Sequence, residues 1–174
     1  IAIGYFRWQK GHSYLLEAVS SVFRQYPEYS LIIVGDGPEK GAIINKIEEL
    51  GITGKVELPG VVPRERVMEL LNESKIFVMP SLSEGLPKVL LEALACGTPA
   101  VITTGCNATD IIQDRGIVVR TKDSQALAGA IRKMLENKEL WQMYSENARA
   151  IVEEFSWEKV AHKVYHYYNE LVKH

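Results

Sequence analysis

The chain has 174 residues, of which 47% are hydrophobic and 24% charged, and its formal net charge is −2. This length and composition are typical of a single globular domain with a substantial core. The near-neutral charge provides no broad basic field for nucleic acid, and no apolar run is long enough to cross a membrane. No stretch resembles a signal peptide, so we expect a cytoplasmic protein in which Cys96 and Cys106 are buried free thiols.

Short apolar runs rich in Val and Ile alternate with longer amphipathic segments. Runs of this kind predict buried strands, and strands that alternate with helices form parallel sheets. The predicted strands are residues 1–4, 30–34, 55–58, 76–79, 100–103 and 116–119. The predicted helices are residues 13–26, 39–50, 64–72, 88–96, 123–136, 139–154 and 157–173, with Ser156 capping the last. The sequence therefore predicts an α/β fold, a doubly wound parallel sheet with extra C-terminal helices, as one domain over residues 1–174.

Four loops marked by Gly or Pro follow predicted strands. They are residues 4–11, 35–37, 60–63 and 80–87. Open doubly wound sheets bind ligands outside the carboxyl ends of their strands. We therefore expect these loops to converge on one crevice.

The stretch of residues 81–92 carries two glutamates around a Gly-Leu-Pro turn. Glu84 falls in the loop, and Pro87 is placed to open a helix. A helix start offers unpaired backbone N–H groups and a partial positive charge, which favour an anion such as phosphate. The alternative is a plain connection between a strand and a helix.

Glu92 lies among apolar residues of the helix that follows, so we expect it to be buried and to need a partner. One candidate is Lys88, four residues earlier on the same helix face. The other is a pair of ligand hydroxyls, as acidic residues bind ribose in nucleotide-binding α/β folds. Glu84, nearer the expected phosphate, would meet sugar hydroxyls or the reacting carbon.

Lys10 and Arg7 lie in the loop after the first strand. Two cations at this position could hold a diphosphate and stabilise it as it leaves. The alternative is a solvated basic loop of the kind common on protein surfaces.

Other patterns are weaker. Residues 35–41 resemble a dinucleotide fingerprint, but the last glycine is one position late and Pro38 removes an amide, so we predict a tight structural turn. His162 and His166 have a metal-ligand spacing without a third ligand, so we predict no metal site. Neither cysteine has a base nearby in sequence, which disfavours a thiol nucleophile.

Taken together, these motifs resemble the C-terminal, donor-binding domain of the retaining B-type (two-Rossmann-domain) glycosyltransferases of family 4, also called group 1. The resemblance covers nearly the whole chain. The matching motifs are Gly4-x5-Lys10-Gly11, Val34-Gly35-Asp36-Gly37-Pro38, Val56-Glu57-Leu58-Pro59-Gly60, Pro80-Ser81-x2-Glu84-Gly85-Leu86-Pro87-x4-Glu92-Ala93, Gly97-Thr98-Pro99-Ala100-Val101 and Phe155-Ser156-Trp157.

The resemblance implies roles for the matching positions. Lys10 would contact the donor diphosphate, and Glu84 would lie near the transferred sugar. The backbone of Gly85, Leu86 and the neighbourhood of Pro87 would surround the sugar and phosphates. Glu92 would hold the ribose hydroxyls, and the backbone around Gly60 and Val61 would meet the base. The family needs no metal or other cofactor, because cationic side chains and a helix N-terminus replace it.

Two positions depart from the family pattern. Tyr5 stands where an arginine commonly follows the first glycine, and Arg7 could reach the same diphosphate. The loop Gly105-Cys106 replaces the usual Gly-Gly pair after the fifth strand. Either change could alter donor choice or weaken catalysis.

The resemblance also implies a partner half, an N-terminal acceptor-binding domain. Residues 1–4 read as a strand already under way, so we expect a domain cut from a longer protein. The final helices would brace the missing half, leaving surfaces at Trp157 and Tyr168 partly bare. Association with the inner face of a membrane, through that half, is a further option, and nucleic acid is not an expected partner.

The leading hypothesis is that the chain binds a nucleotide diphosphate sugar for retaining transfer of a hexose such as mannose, by a front-face mechanism. The isolated chain would bind the donor weakly and transfer nothing. A second hypothesis is a nucleotide-sugar-binding or interaction module without catalysis, supported by Tyr5 and the Gly105 loop. A nucleotide-sugar epimerase of the same architecture is disfavoured by the spacing of Glu84 and Glu92.

Overall fold

The computed structural model describes residues 1–151 and 155–172. The strands are β1 (Ala2–Ile3), β2 (Leu31–Val34), β3 (Val56–Gly60), β4 (Phe77–Met79), β5 (Ala100–Thr103) and β6 (Gly116–Val119). The α-helices are α1 (His12–Phe23), α2 (Lys40–Glu49), α3 (Arg64–Glu73), α4 (Lys88–Ala95), α5 (Thr109–Ile112), α6 (Ser124–Glu136), α7 (Lys138–Arg149) and α8 (Trp157–Val172). Short 3-10 helices span Trp8–Lys10 and Thr53–Lys55.

The strands form two parallel three-stranded sheets, β1-β2-β3 and β4-β5-β6. The sheets meet at β1 and β4, where the Val78 N–H donates to the Ile1 carbonyl oxygen at 2.8 Å. Across this contact the strands run in the order β3-β2-β1-β4-β5-β6, the arrangement of a Rossmann-like fold. The α/β doubly wound parallel fold is confirmed, with the reversal of strand order between β1 and β4.

Helices cover both faces, so each face has its own apolar core. The first core contains side chains of α1, α2 and α6, and the second contains side chains of α3, α4, α5 and α7. Successive residues of a strand point to opposite faces. In β4, for example, Val78 joins the first core, whereas Phe77 and Met79 join the second.

Side chains cap the last three helices. The Asp123 carboxylate accepts the Ala126 N–H at 2.8 Å, and the Asn137 side chain accepts the Leu140 N–H at 2.9 Å. The Ser156 hydroxyl accepts the Lys159 N–H at 3.3 Å, as predicted. The predicted helix ends at residues 154 and 173 lie outside the described residues.

In α8, every residue whose side chain is described is exposed except half-buried Val160, and Tyr168 retains 68% of its accessible surface, in line with the expectation of a partly bare surface. The Trp157 side chain lies outside the described part of the chain. Among the helices that are described, none is both long and apolar enough to cross a membrane.

The turn of residues 35–37 packs tightly on the loop after β1. Gly35 has a φ of +140°, and a Cβ there would lie 2.0 Å from the Gly4 carbonyl oxygen. The Gly37 N–H donates to the Asp36 carboxylate at 2.8 Å. The segment is thus the tight structural turn that the sequence predicts.

We expect Gly35→Ala to lower the free energy of unfolding by about 2 kcal/mol or more, because the methyl group would force two backbones apart. Gly41→Ala is the matched control: no atom lies within 4 Å of its added methyl group in α2. Alanine there should raise stability by about 0.5–1 kcal/mol. Urea unfolding of both variants measures the difference, and equal stabilities would contradict the close packing.

Candidate functional site

The loops after the strands converge through backbone contacts. Phe6 is fully buried; its N–H donates to the Asp36 carbonyl oxygen at 2.8 Å, and its carbonyl oxygen accepts the Glu39 N–H at 3.0 Å. The Leu82 N–H donates to the Gln9 carbonyl oxygen at 2.6 Å. The loops after β1, β2 and β4 are therefore joined at one edge of the sheet, as predicted.

Lys10 and Glu84 form an ion pair at this edge, where the strand order reverses. The Lys10 ammonium donates a hydrogen bond to a carboxylate oxygen of Glu84, and the stem of Lys10 lies over Gly4. The two side chains keep only 25% and 22% of their accessible surface. The structure thus brings together the cation and the loop carboxylate that the sequence singled out.

Glu84 leads directly into the start of α4. Pro87 is buried at the N-cap position of this helix, and no side chain caps its first turn. Gly85 and Leu86 are exposed, with Leu86 retaining 46% of its surface. The backbone N–H groups at this helix start are available to an anion close to Lys10.

Glu92 departs from the expectation of a buried carboxylate. Its side chain is 29% exposed, and its carboxylate lies 3.4 Å from the guanidinium of Arg64. The structure therefore pairs it with Arg64 and not with Lys88. The reason is position: α4 turns Glu92 toward the start of α3, where the loop after β3 ends.

The loop after β3 is the expected site of the base. The Gly35 N–H donates to the Gly60 carbonyl oxygen at 2.9 Å. This hydrogen bond joins the loop after β3 to the loop after β2 at the crevice. Val61 keeps 78% of its surface. The ion pair of Arg64 with Glu92 links the start of α3, directly after this loop, to α4.

Arg7 does not join the Lys10–Glu84 pair. Its guanidinium lies 4.9 Å from the centre of the Tyr5 ring, and its side chain is exposed. Stacking of this kind is common for arginine on aromatic rings. Of the two cations expected to hold the diphosphate, Lys10 is therefore the one that lies with Glu84 in this structure.

His12, which sequence reasoning missed, is buried close enough to Lys10 to feel its charge. The ring packs edge-on against Phe6 with 5.2 Å between centroids, and the residue is 6% exposed. Burial, reinforced by the Lys10 charge, lowers the pKa of His12 to about 4. The imidazole is therefore neutral at pH 7. The sequence could have drawn attention to His12 because it directly follows Gly11, the last residue of a loop that we expect at the crevice.

The remaining predicted features can be located as well. Cys106 is the buried free thiol that the sequence predicts. Cys96 is also a free thiol, but it is half-buried and not buried as expected, because it lies at the C-terminal end of α4; burial raises the pKa of both. His162 and His166 are exposed on α8. No group of three or more His, Cys, Asp or Glu side chains in the described residues is arranged to hold a metal ion.

With the geometry in place, comparison with known proteins identifies the family. Residues 1–151 match the sequence profile described as "Glycosyl transferases group 1". The chain belongs to the group 1 glycosyltransferase family. This confirms the resemblance carried by the sequence motifs.

Two curated relatives illustrate the relationship. An uncharacterized glycosyltransferase of Haemophilus influenzae is 28% identical, over 92% of this chain and 46% of that protein. The D-inositol 3-phosphate glycosyltransferase of Corynebacterium jeikeium is 31% identical, over 97% of this chain and 42% of that protein. The chain spans less than half the length of both relatives.

A solved structure shows the same fold. HepE of Anabaena, in complex with UDP, is 22% identical and has a TM-score of 0.85, over 97% of this chain and 48% of that chain. Other structures of HepE contain UDP with glucose, or UDP-glucose. The fold is that of a B-type glycosyltransferase domain. The roles of individual residues in this group 1 glycosyltransferase chain stay predictions.

The lowered pKa of His12 predicts a pH-dependent stability. The folded chain protonates His12 near pH 4 and the unfolded chain near pH 6.5, so unfolding takes up a proton between these values. The contribution of His12 to the free energy of unfolding is therefore fully present above about pH 6.5 and is lost as the pH is lowered from 6.5 to 4, by about 3 kcal/mol in all.

Urea unfolding at pH 7 and pH 5 measures this effect. His12→Gln should reduce the loss of stability between the two pH values, since the variant has no imidazole to protonate. The control is His162→Gln on the exposed face of α8, which should behave like the parent chain. A His12→Gln variant with the full loss would contradict a buried neutral imidazole.

Proposed function

We propose that this chain binds a nucleotide diphosphate sugar and is the donor half of a retaining hexosyltransferase. The observation that carries the proposal is the pairing of Lys10 with Glu84 at the reversal of strand order, next to the start of α4. A cation, a carboxylate and a helix start within one crevice match the diphosphate and the sugar of such a donor.

The diphosphate would lie between Lys10 and the first turn of α4. The ammonium of Lys10 and the N–H groups of the helix start would stabilise the charge of the nucleotide diphosphate as it leaves. The backbone at the helix start is fixed by the fold before the donor arrives, so the Lys10 ammonium would be the group that changes partner when the diphosphate binds. The proposal requires no metal ion and no cofactor.

Glu84 would bind the sugar. The donor diphosphate would take over the ammonium of Lys10, freeing the carboxylate to accept hydrogen bonds from sugar hydroxyls. The exposed backbone at Gly85 and Leu86 would surround the same sugar. The two members of the present ion pair would thus act on adjacent parts of one ligand.

The nucleoside would extend toward α3. Glu92 would accept hydrogen bonds from the ribose hydroxyls, and the backbone of Gly60 and Val61 would meet the base. The long, 77%-exposed side chain of Arg64 can move away from Glu92 when ribose binds. The UDP found in HepE makes uridine the first base to test.

Transfer itself would need the second half of the protein, an N-terminal domain that binds the acceptor. In the proposed step, an acceptor oxygen forms a bond to the anomeric carbon on the face from which the diphosphate leaves. The bond from that carbon to the phosphate oxygen breaks, and this oxygen takes the acceptor proton. The product then keeps the anomeric configuration. Mannose is one candidate hexose, and we place the reaction in the cytoplasm.

The alternative is a nucleotide-sugar-binding or interaction module that has lost catalysis. The stacking of Arg7 on Tyr5 favours this alternative, because it leaves the diphosphate with one cationic side chain in the present structure. The hexosyltransferase and an inactive nucleotide-sugar-binding module both predict donor binding, whereas an interaction module predicts none. Sugar transfer by the protein that contains both halves, with the product's anomeric configuration measured by NMR, distinguishes them.

Calorimetric titration tests donor binding directly, with the diphosphates of uridine, guanosine and adenosine and their glucose and mannose conjugates. Glu92→Gln should weaken binding of the preferred nucleotide about tenfold to a hundredfold, because hydrogen bonds from ribose to a charged group are lost. Glu69→Gln is the control, since Glu69 is an exposed residue of α3 paired with Arg66.

Two results would count against the proposal. If none of these nucleotides or conjugates binds, the chain is not a donor-binding domain. If the preferred nucleotide binds Glu92→Gln as tightly as the parent chain, Glu92 does not hold the ribose.

A further inference from the structure

The loop that follows β5 holds the backbone of Glu84 from both sides. The Glu84 N–H donates to the Gly105 carbonyl oxygen at 2.8 Å, and the Asn107 N–H donates to the Glu84 carbonyl oxygen at 3.0 Å. Glu84 and Cys106 are thereby paired as an isolated parallel bridge. Both backbone polar groups of Glu84 are thus committed to this one loop.

A second contact lies deeper, at the end of β5. The Thr103 hydroxyl donates a hydrogen bond to the Ser81 carbonyl oxygen, and both residues are buried, at 3% and 1% exposure. A buried hydrogen bond of this kind is costly to lose, because the carbonyl oxygen would be left without a partner. Thr103 therefore fixes the start of the segment that ends at Glu84.

Gly105 allows the two loops to approach this closely. A Cβ at this position would lie 2.4 Å from the Ser81 carbonyl oxygen and 2.6 Å from the Leu82 carbonyl carbon. These are backbone atoms, which cannot move aside as a flexible side chain can. A side chain at position 105 would push apart the two segments that hold Glu84.

Cys106 shows where the change from the usual Gly-Gly pair is accommodated. Its side chain is 1% exposed and packs in the second apolar core, with Sγ 3.9 Å from the Met79 carbonyl oxygen. The added side chain therefore fills the core and not the crevice. The departure leaves the contacts to Glu84 intact.

We propose that Thr103 and Gly105 are positioning residues for the sugar end of the donor site, acting through the backbone of Glu84. Residues 82–86 are otherwise half-buried or exposed, and the Glu84 side chain has Lys10 as its partner only until a diphosphate takes the ammonium. From then on, the loop after β5 would determine where the Glu84 carboxylate lies. The inference rests on the proposed donor-binding function.

The test uses Thr103→Val, which keeps the shape but removes the hydroxyl, and Thr103→Ser, which restores it. In Thr103→Val we expect the affinity for the preferred nucleotide sugar to fall about tenfold, while that for the nucleoside diphosphate alone stays within twofold. Thr103→Ser should recover most of the loss. Calorimetry with both ligands gives this comparison.

Gly105→Ala provides a second perturbation of the same contact, with the same expected loss for the nucleotide sugar. Its control is Gly129→Ala in α6, where no atom lies within 4 Å of the added methyl group. Gly129→Ala should bind both ligands like the parent chain. Circular dichroism verifies that each variant is folded.

Amide hydrogen exchange at Glu84, followed by NMR without ligand, measures the backbone contact independently of binding. We expect exchange to accelerate in Thr103→Val and Gly105→Ala and to return toward the parent rate in Thr103→Ser. Accelerated exchange with unchanged sugar affinity would overturn the inference, as would an equal loss for both ligands. A parent chain that binds no nucleotide sugar, despite a protected Glu84 amide, would instead refute the proposed function.

Discussion

The contact between β1 and β4 is the constraint on which the rest of the site depends. Because the connections turn in opposite directions from these neighbouring strands, their loops leave an open crevice between them. Lys10 comes from one loop and Glu84 from the other, and the two meet across the opening. Any ligand that enters the crevice would lie beside this half-buried ion pair. Its charges are only partly screened by water.

Around that pair, the site is built mostly from backbone. The loops are joined by main-chain hydrogen bonds such as Leu82 to Gln9 and Glu84 to Gly105, and by a close approach at Gly35 that excludes a Cβ. Backbone contacts hold the frame, while the ends of Lys10 and Glu84 remain free to exchange partners. This division would suit the proposed donor, which is flexible and charged, because the backbone frame would not have to rearrange when it binds.

Much of the fold could be predicted because hydrophobic periodicity reports burial directly. The β5 and β6 strands occur at the predicted residues, and the other strands differ by a few residues at their ends. The members of the site, Lys10 and Glu84, could be chosen from motif and loop position. Their pairing could not, because it depends on how the loops fold around buried Phe6.

Other features were beyond the reach of sequence reasoning for similar reasons. The partner of Glu92 is Arg64, 28 residues earlier in the chain, and its contact depends on how α3 packs against α4. The stacking of Arg7 on Tyr5 depends on the side-chain conformation that Arg7 adopts, which the sequence does not specify. The contacts of Thr103 and Gly105 with residues 81–84 cross between neighbouring strands, and a local pattern does not reveal such contacts.

The central claim is that the crevice between β1 and β4 receives the diphosphate of a sugar donor. The most direct measurement is NMR of the 15N-labelled chain during titration with UDP-glucose and with the preferred nucleotide diphosphate. The account predicts that the largest amide shifts occur at Gly85, Leu86 and the first turn of α4, with smaller shifts at Gly60 and Val61. Saturable shifts confined to other surfaces, such as α7 or α8, would contradict it.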